Sequence, residues 1–188
     1  MGSAKGLAEI EKHIRAILLL IGENPERPGL RETPKRVARM YQEIFRGYGR
    51  FPEEQIKTFP SPNYDGLVVR TGIPFFSMCE HHMLPYMGTV DLGYVVEETV
   101  LGISKIIRLI QHMSARLTIQ EGLTQQIAQE FNNHGIADVM VVIRSTIHLC
   151  EAMRGVKTTG VPLVTSIITG KFWDKDALRN ECLFLMGR

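Results

Sequence analysis

The sequence has few cysteines and few aromatic residues, and it lacks a long apolar run. Its 188 residues include three cysteines and one tryptophan, and aromatic residues make up 7% of the chain. No stretch approaches the roughly 18 consecutive apolar residues of a transmembrane helix, and the first residues do not resemble an export signal. Three widely spaced cysteines do not fit a disulfide framework. We therefore expect a cytoplasmic protein whose thiols are buried, catalytic or metal-bound.

The sequence also lacks a strong excess of charge of either sign. There are 22 basic and 20 acidic residues, which gives a formal net charge of +2 at pH 7. So small a charge does not indicate a nucleic-acid or membrane surface, and neither partner is predicted. The length and the 44% content of hydrophobic residues fit one domain with a sizeable core.

The N-terminal part of the chain has helical periodicity. Residues 7–21 predict an amphipathic helix that ends before a glycine. A second helix is predicted to begin at Thr33 and Pro34, with Thr33 as the N-cap and Pro34 in the first turn. Residues 48–65 contain three prolines and are expected to form an irregular connection.

From residue 66 onward, strand-like segments alternate with paired helices. Apolar periodicity predicts helices that begin at Ser104 and near Ile119, and Asp174 is expected to cap a short last helix. Residues 137–149 are rich in β-branched side chains and predict a strand. Because strands occur as hairpins and helices in pairs, the pattern predicts an α+β fold rather than a doubly wound sheet.

The densest group of reactive side chains is Cys79-Glu80-His81-His82, and His148 and Cys150 form a second group. Cysteine and histidine are preferred zinc ligands, and two of them three positions apart can reach one ion across a turn. Alternation along a strand would place His148 and Cys150 on one face. The spacing leaves three interpretations open: a structural zinc site with four protein ligands, a catalytic site with three, or ordinary core thiols and histidines.

Basic residues recur at helical spacing along the chain. Lys105 and Arg108 lie one turn apart at the start of a predicted helix, where backbone N–H groups and the helix dipole favour an anion. Arg36 and Arg39 repeat this spacing on the earlier helix, and Arg154 follows the second His–Cys pair. Such cations suit a triphosphate, and the alternative is a set of solvated surface charges.

An acidic residue, Glu121, follows Gln120 at the start of the next predicted helix. A carboxylate there could accept two hydrogen bonds from the N1 and N2 edge of guanine. The alternative role is to complement the positive end of the helix dipole.

Taken together, five separated segments resemble the GTP cyclohydrolase I family, in that family's order and spacing, from roughly residue 30 to the end. The segments are Thr33-Pro34-Lys35-Arg36-Val37-Ala38-Arg39-Met40-Tyr41, Ser77-Met78-Cys79-Glu80-His81-His82, Gly102-Ile103-Ser104-Lys105, Ile119-Gln120-Glu121 with Leu123-Thr124-Gln125-Gln126-Ile127, and His148-Leu149-Cys150 with Arg154-Gly155. One departure is Gly122, where the family usually has arginine.

The resemblance implies a tunnelling fold (T-fold), an α+β domain with an antiparallel sheet, helices on one side and an N-terminal helical segment. Residues 1–65 would form the helical extension and residues 66–188 the catalytic domain, within one compact domain overall. Family members are usually homodecamers of two face-to-face pentamers, with active sites between subunits. We therefore expect self-association to a homodecamer, phosphate-binding arginines that can come from a neighbouring chain, and an inactive monomer.

The resemblance also implies roles for single residues. One zinc ion per subunit would be held by Cys79, His82 and Cys150, which leaves the fourth position open, as hydrolytic zinc requires. His81 and His148 would be acid–base residues, because histidine exchanges protons near neutral pH.

The residues implied to bind GTP lie on both sides of the metal motifs. Ser104 would assist at the ribose or the phosphates. The remaining implied contacts are Gln120 and Glu121 to the guanine, and Arg36, Arg39, Lys105, Arg108 and Arg154 to the triphosphate.

The implied activity is zinc-dependent conversion of GTP to 7,8-dihydroneopterin triphosphate and formate, the first step of pterin and tetrahydrofolate biosynthesis. Guanine C8 is a poor electrophile until N7 is protonated, and the family assigns that proton transfer to the histidine matching His148. Two alternatives stay open: a zinc hydrolase that stops at the ring-opened formamide, and a structural zinc module that binds nucleotides. Product analysis separates the first, and the folding of a Cys79 variant separates the second.

Overall fold

The computed structural model describes residues 4–51 and 57–188. The chain forms two compact units, one that ends at Gly49 and one that spans Arg50–Arg188. None of the described helices is both long enough and apolar enough to cross a membrane.

The first unit contains two helices that pack against each other, α1 (Ala4–Leu20) and α2 (Thr33–Ile44). Both predicted helices are therefore confirmed. The prediction of Thr33 as N-cap is wrong, because Glu32 occupies that position and its carbonyl accepts the N–H of Arg36 at 3.0 Å. Pro34 lies in the first turn as predicted, where its missing N–H leaves no bond unmade.

The second unit is built on a five-stranded sheet. Its strands are β2 (Leu67–Cys79), β3 (Pro85–Val95), β5 (Leu117–Thr118), β6 (Val139–His148) and β7 (Leu163–Ile168). Their order is β5-β2-β3-β6-β7, and every pair is antiparallel except β5 with β2. Within the segment expected to be irregular, β1 (Thr58–Pro60) pairs with β4 (Thr99–Leu101) in a separate two-stranded sheet.

Helices α3 (Ile103–Ser114) and α4 (Gln120–Asn133) cover one face of the sheet and close the main hydrophobic core. Alternation along β6 divides its side chains, so that Val141 belongs to this core while Met140 and Val142 face the other way. These results confirm the predicted α+β class with an antiparallel sheet.

A smaller cluster lies on the opposite face, where α6 (Asp176–Leu185) packs its buried Cys182 beneath the sheet. The N-cap of α6 is Lys175, so the prediction that Asp174 caps this helix is wrong. The chain passes through a 3-10 turn at Gly170–Phe172 before the helix, and the observed cap lies one residue later than the predicted one.

A β-bulge interrupts the pairing of β3 with β6 next to the metal motifs. Met87 pairs with Ile147 and Gly88 pairs with Ser145, so Thr146 is the extra residue. Residues three apart on a regular strand face opposite ways, but the extra residue turns Ser145 and His148 toward the same side. A Cβ on Gly88 would lie 2.1 Å from the carbonyl oxygen of Arg144, so this close approach requires glycine.

Candidate metal centre and active site

Three predicted ligands converge at one end of the sheet. The ligand atoms of Cys79, His82 and Cys150 all lie within 4.8 Å of one another. Sγ of Cys79 and Nδ1 of His82 are 3.8 Å apart. Because Zn–S and Zn–N bonds are about 2.3 and 2.0 Å long, one ion placed among these atoms could bind all three.

The turn between β2 and β3 positions the first two ligands. The N–H of Cys79 donates to the carbonyl of Leu84 at 2.9 Å, and the N–H of Met83 donates to the carbonyl of Cys79 at 2.8 Å. Met83 has a φ of 52°, a left-handed conformation that is uncommon for a side chain of this size. This tight closure folds His82 back over the end of the strand that carries Cys79.

Cys150 reaches the site from a helical turn, not from a strand. The prediction that His148 and Cys150 share one face of a strand is wrong, because β6 ends at His148 and residues Leu149–Ala152 form the short helix α5. The N–H of Met153 donates to the carbonyl of Leu149 at 2.9 Å and closes this turn. The change from strand to helix redirects the Cys150 sulfur toward Cys79.

The chemistry of the donor set fits zinc. Two thiols and an imidazole are soft and borderline ligands, and three protein ligands leave a coordination position open. Burial raises the pKa of the Cys150 thiol, and its contact with the Cys79 sulfur raises that pKa further. Neighbouring thiolates therefore need a cation to compensate their charge, which a divalent ion supplies.

His148 lies beside this group and is held by two contacts. Its ring stacks on the ring of Tyr86, with centroids 5.0 Å apart and an interplanar angle of 8°. Its Nε2 is hydrogen-bonded to the hydroxyl of Ser145. Burial lowers the pKa of His148 below its ordinary value, and the carboxylates of Glu151 and Glu121 oppose this shift.

Tyr86 is itself fixed by a buried chain of hydroxyls. Its hydroxyl lies 2.6 Å from that of Thr118, which lies 2.7 Å from the hydroxyl of Ser77. Burial raises the pKa of Tyr86, so its phenol stays protonated and its ring remains an uncharged platform for His148.

The two residues predicted to bind guanine point to different places. Gln120 is 2% exposed, and its amide is hydrogen-bonded inside the protein. Glu121 is exposed in the first turn of α4 and lines a cavity of about 340 Å³. The other lining residues are Thr124, Gln125, Thr165, Ser166 and Ile167. Glu121 is thus the member of the pair that faces open space.

The predicted cations occupy several elements. Arg154 is exposed, and its guanidinium lies 2.8 Å from Nε2 of His82. Lys105 and Arg108 lie in the first turns of α3, as does Ser104. Arg36 and Arg39 are exposed on α2, in the first compact unit.

His81 lies on the exposed side of the ligand turn. Its ring centroid is 6.1 Å from that of His82, and its Nε2 is 4.0 Å from the carboxylate of Glu80.

Sequence reasoning missed Ser145 and Tyr86, which both contact His148. Tyr86 pairs directly with His148 across the two strands, so a correct strand alignment would have found it. Ser145 was hidden by the bulge at Thr146, because regular alternation places residues 145 and 148 on opposite faces.

Known proteins resemble this chain over most of its length. A profile of the family described as GTP cyclohydrolase I matches residues 10–187. GTP cyclohydrolase 1 of Hyperthermus butylicus is 47% identical over 175 residues, which cover 93% of this chain and 88% of that protein. The enzymes of the same name from Desulforamulus reducens and Clostridium kluyveri are 44% and 42% identical, and the matches cover 96% and 92% of this chain and 97% and 94% of theirs. The chain therefore belongs to the GTP cyclohydrolase I family.

Proposed function

We propose that this protein is a GTP cyclohydrolase I that converts GTP to 7,8-dihydroneopterin triphosphate and formate, and that its metal is zinc, one ion per subunit. The observation that carries the proposal is the convergence of Cys79, His82 and Cys150 within 4.8 Å. Three ligands suit a hydrolytic metal, whereas a structural zinc site needs four.

Zinc bound by these residues would supply Lewis acidity and lower the pKa of water to about 7. His148 would exchange a proton with a purine nitrogen, because Tyr86 and Ser145 hold its ring in one orientation. His81, on the exposed side of the ligand turn, would be the second acid–base group.

Glu121 would bind the N1 and N2 edge of guanine. Its carboxylate is exposed at a cavity of about 340 Å³, and it is close enough to His148 to oppose the lowering of the His148 pKa. A base held by Glu121 would therefore lie within reach of the histidine that exchanges its proton. The amide of Gln120 is buried and hydrogen-bonded within the protein, so Gln120 would support guanine binding only indirectly.

The triphosphate would be bound by Arg154, Lys105 and Arg108, with Ser104 nearby on α3. Arg154 now lies against Nε2 of His82, while Nδ1 of the same ring faces Cys79. If His82 bound the metal through Nδ1, its ring hydrogen would lie on Nε2, which could then no longer accept from a guanidinium. Arg154 would then be available to a phosphate oxygen.

Assembly to a homodecamer belongs to the same proposal. Arg36 and Arg39 are exposed on the first compact unit, where they would reach the phosphates of a neighbouring subunit's GTP. A division into a helical extension over residues 1–65 and a catalytic domain over 66–188 also stays a proposal. A cytoplasmic location fits it, since free thiol ligands persist in a reducing compartment.

The decisive experiment incubates the purified protein with GTP, with and without a chelator, and measures formate and the fluorescence of the oxidised pterin. Both products, lost on chelation and restored by zinc alone, are the expected result. Formate without a pterin would identify a hydrolase that stops at the ring-opened formamide. GTP binding without either product would instead favour a nucleotide-binding zinc module.

A further inference from the structure

Gln120 directs its side-chain nitrogen into a group of acceptors. Its Nε2 lies 3.2 Å from the carbonyl of Ile143, 3.1 Å from the carbonyl of Leu163 and 3.1 Å from the hydroxyl of Thr165. Carbonyl oxygens only accept hydrogen bonds, so the NH₂ group must face them. The amide oxygen, Oε1, therefore points the other way, toward Ser145.

Thr124 and Thr165 hold this orientation of the amide. The hydroxyl of Thr124 donates to the backbone carbonyl of Gln120 at 2.7 Å, which uses its one hydrogen. The hydroxyl of Thr165, 2.6 Å away, must then donate to Thr124, and its own oxygen stays available to the Gln120 amide. The amide nitrogen has two hydrogens for these three acceptors, and every way of sharing them keeps Nε2 on the side of the carbonyls.

Ser145, which is fully buried, links the amide of Gln120 to the ring of His148. An amide oxygen cannot donate, so the hydroxyl of Ser145 donates to Oε1 of Gln120. That hydroxyl has no second hydrogen, so at Nε2 of His148 the serine oxygen must accept. Nε2 of His148 therefore carries hydrogen, and in the neutral ring Nδ1 carries the lone pair.

We propose that Gln120 and Ser145 are positioning residues that fix His148 in its Nε2–H tautomer and make Nδ1 the nitrogen that exchanges a proton with the substrate. The proposal rests on the proposed function for the identity of that substrate. It assigns Gln120, which the sequence associated with guanine, to the support of the catalytic histidine. The fixed amide fulfils this role without entering the site.

Fixing the tautomer has a direct consequence for catalysis. An imidazole that is free to choose its tautomer presents the wrong nitrogen part of the time, and a ring that rotates loses its alignment with the purine. The bulge at Thr146 is what brings the Ser145 hydroxyl to the ring. Strand β6, its bulge and α4 thus together determine which ring nitrogen of His148 carries the hydrogen.

The first test measures the tautomer in the zinc-loaded protein without substrate. Protein with ring-¹⁵N histidine is studied by NMR near pH 8, and a His148→Gln variant identifies the His148 signals by their absence. The expected result is a protonated Nε2 and an unprotonated Nδ1. A protonated Nδ1 in the wild-type protein would overturn the proposal, whether or not GTP is converted.

The second test compares Ser145→Ala with Ser145→Thr, which keeps a hydroxyl. In Ser145→Ala, kcat is expected to fall roughly 10- to 100-fold while KM for GTP changes less than about twofold, with a mixture of tautomers at His148. Ser145→Thr should retain the Nε2–H tautomer and most of kcat. Unchanged kcat and tautomer in folded, zinc-loaded Ser145→Ala would refute the role of Ser145.

Ser114→Ala is the matched control, because Ser114 is also a buried serine but lies at the end of α3 and donates to the carbonyl of Gln111. This variant should keep both kcat and the His148 signals. Failure of the wild-type protein to convert GTP would count against the proposed function alone, since the tautomer is measured without turnover.

Discussion

The carboxylate of Asp91, buried in β3, pairs with the guanidinium of Arg188 at 2.6 Å and also accepts the N–H of Gly72 at 2.7 Å. The Asp91 side chain is 6% exposed, so a lone charge there would be poorly solvated. Arg188→Ala is therefore expected to lower the free energy of unfolding by about 1–3 kcal/mol, measured by urea denaturation.

The control for this ion pair is Asp91→Asn, which keeps an acceptor for Gly72 but removes the charge. In that background, Arg188→Ala should cost less than about 0.5 kcal/mol. Equal losses in both backgrounds would show that Arg188 stabilises the protein through packing and not through its charge.

Cys150 and Cys182 should differ in their effect on metal content. Cys150→Ala removes a ligand from the convergent group, and we expect its zinc content to fall well below one ion per chain, measured by atomic emission after gel filtration. Cys182→Ala is the matched substitution in the other hydrophobic cluster and should keep its zinc. Equal zinc in the two variants would mean that the ligands are misassigned.

Gly88→Ala should disturb the proposed active site through the neighbouring backbone of β6. The new Cβ would lie 2.1 Å from the carbonyl oxygen of Arg144 and 2.7 Å from Cα of Ser145, and backbone atoms cannot move aside without altering the bulge. We expect a loss of about 1–3 kcal/mol in unfolding free energy and at least a tenfold lower kcat at full zinc content. Normal turnover in this variant would show that the site tolerates a different strand register.

Gly122→Ala should stabilise the protein. Gly122 lies inside α4, and an added Cβ would meet only Cγ1 of Ile119, at the ordinary distance of 3.5 Å. Alanine is favoured over glycine by up to about 1 kcal/mol in a helix interior and by less in the first turn, where Gly122 lies, so thermal unfolding should report a modest gain. The same variant shows whether the glycine affects binding, because a rigid first turn holds Glu121 more firmly and should lower KM for GTP.

Cys182 should resist alkylation in the folded protein. Burial raises its pKa to about 12, and the charge of Glu181 contributes. At pH 9 an exposed thiol is mostly ionised, whereas on the order of 0.1% of Cys182 would be thiolate. Iodoacetamide at pH 9 should therefore label Cys182 only after unfolding in urea, as peptide mass spectrometry can determine.

The raised pKa of Cys182 also determines how the free energy of unfolding changes with pH. The folded pKa lies above the unfolded value of about 8.5, so the contribution of Cys182 is fully present below that pH and is lost as the pH rises toward 12. Cys182→Ala should flatten the alkaline fall in unfolding free energy. Rapid labelling of the folded wild-type protein would contradict both expectations.

Much of the fold could be predicted because it depends on local periodicity. The apolar stripe of α3, with Ile106, Leu109 and Ile110 buried, follows from a repeat of 3.6 residues. Gly72 and Pro74 interrupt the strand pattern of the sequence, but the structure has one long strand, β2, which continues to pair with β3 beyond an irregularity between Arg70 and Ile73. The sequence pattern shows where a strand is interrupted, but it does not show that the partner strand continues to pair on both sides of the interruption.

The convergence of Cys79 and His82 could be predicted from sequence, because a short turn keeps these two proposed metal ligands together whatever the rest of the chain does. The support of His148 could not, since it depends on contacts between residues 25 positions apart, Gln120 and Ser145, and on a bulge. The helical turn that carries Cys150 was also hidden, because Leu149–Ala152 follows a strand without a break in composition. Tertiary contacts select this conformation.

Because of the bulge at Thr146, the face on which His148 lies depends on whether the number of residues before it in the strand is odd or even. Between the core residue Ile143 and His148, adding or removing an odd number of residues would turn the His148 ring to the opposite face of the strand, while an even number would keep it on the same face. Chimeras that exchange β6 between relatives must therefore match the count of residues in this stretch before they match its chemistry.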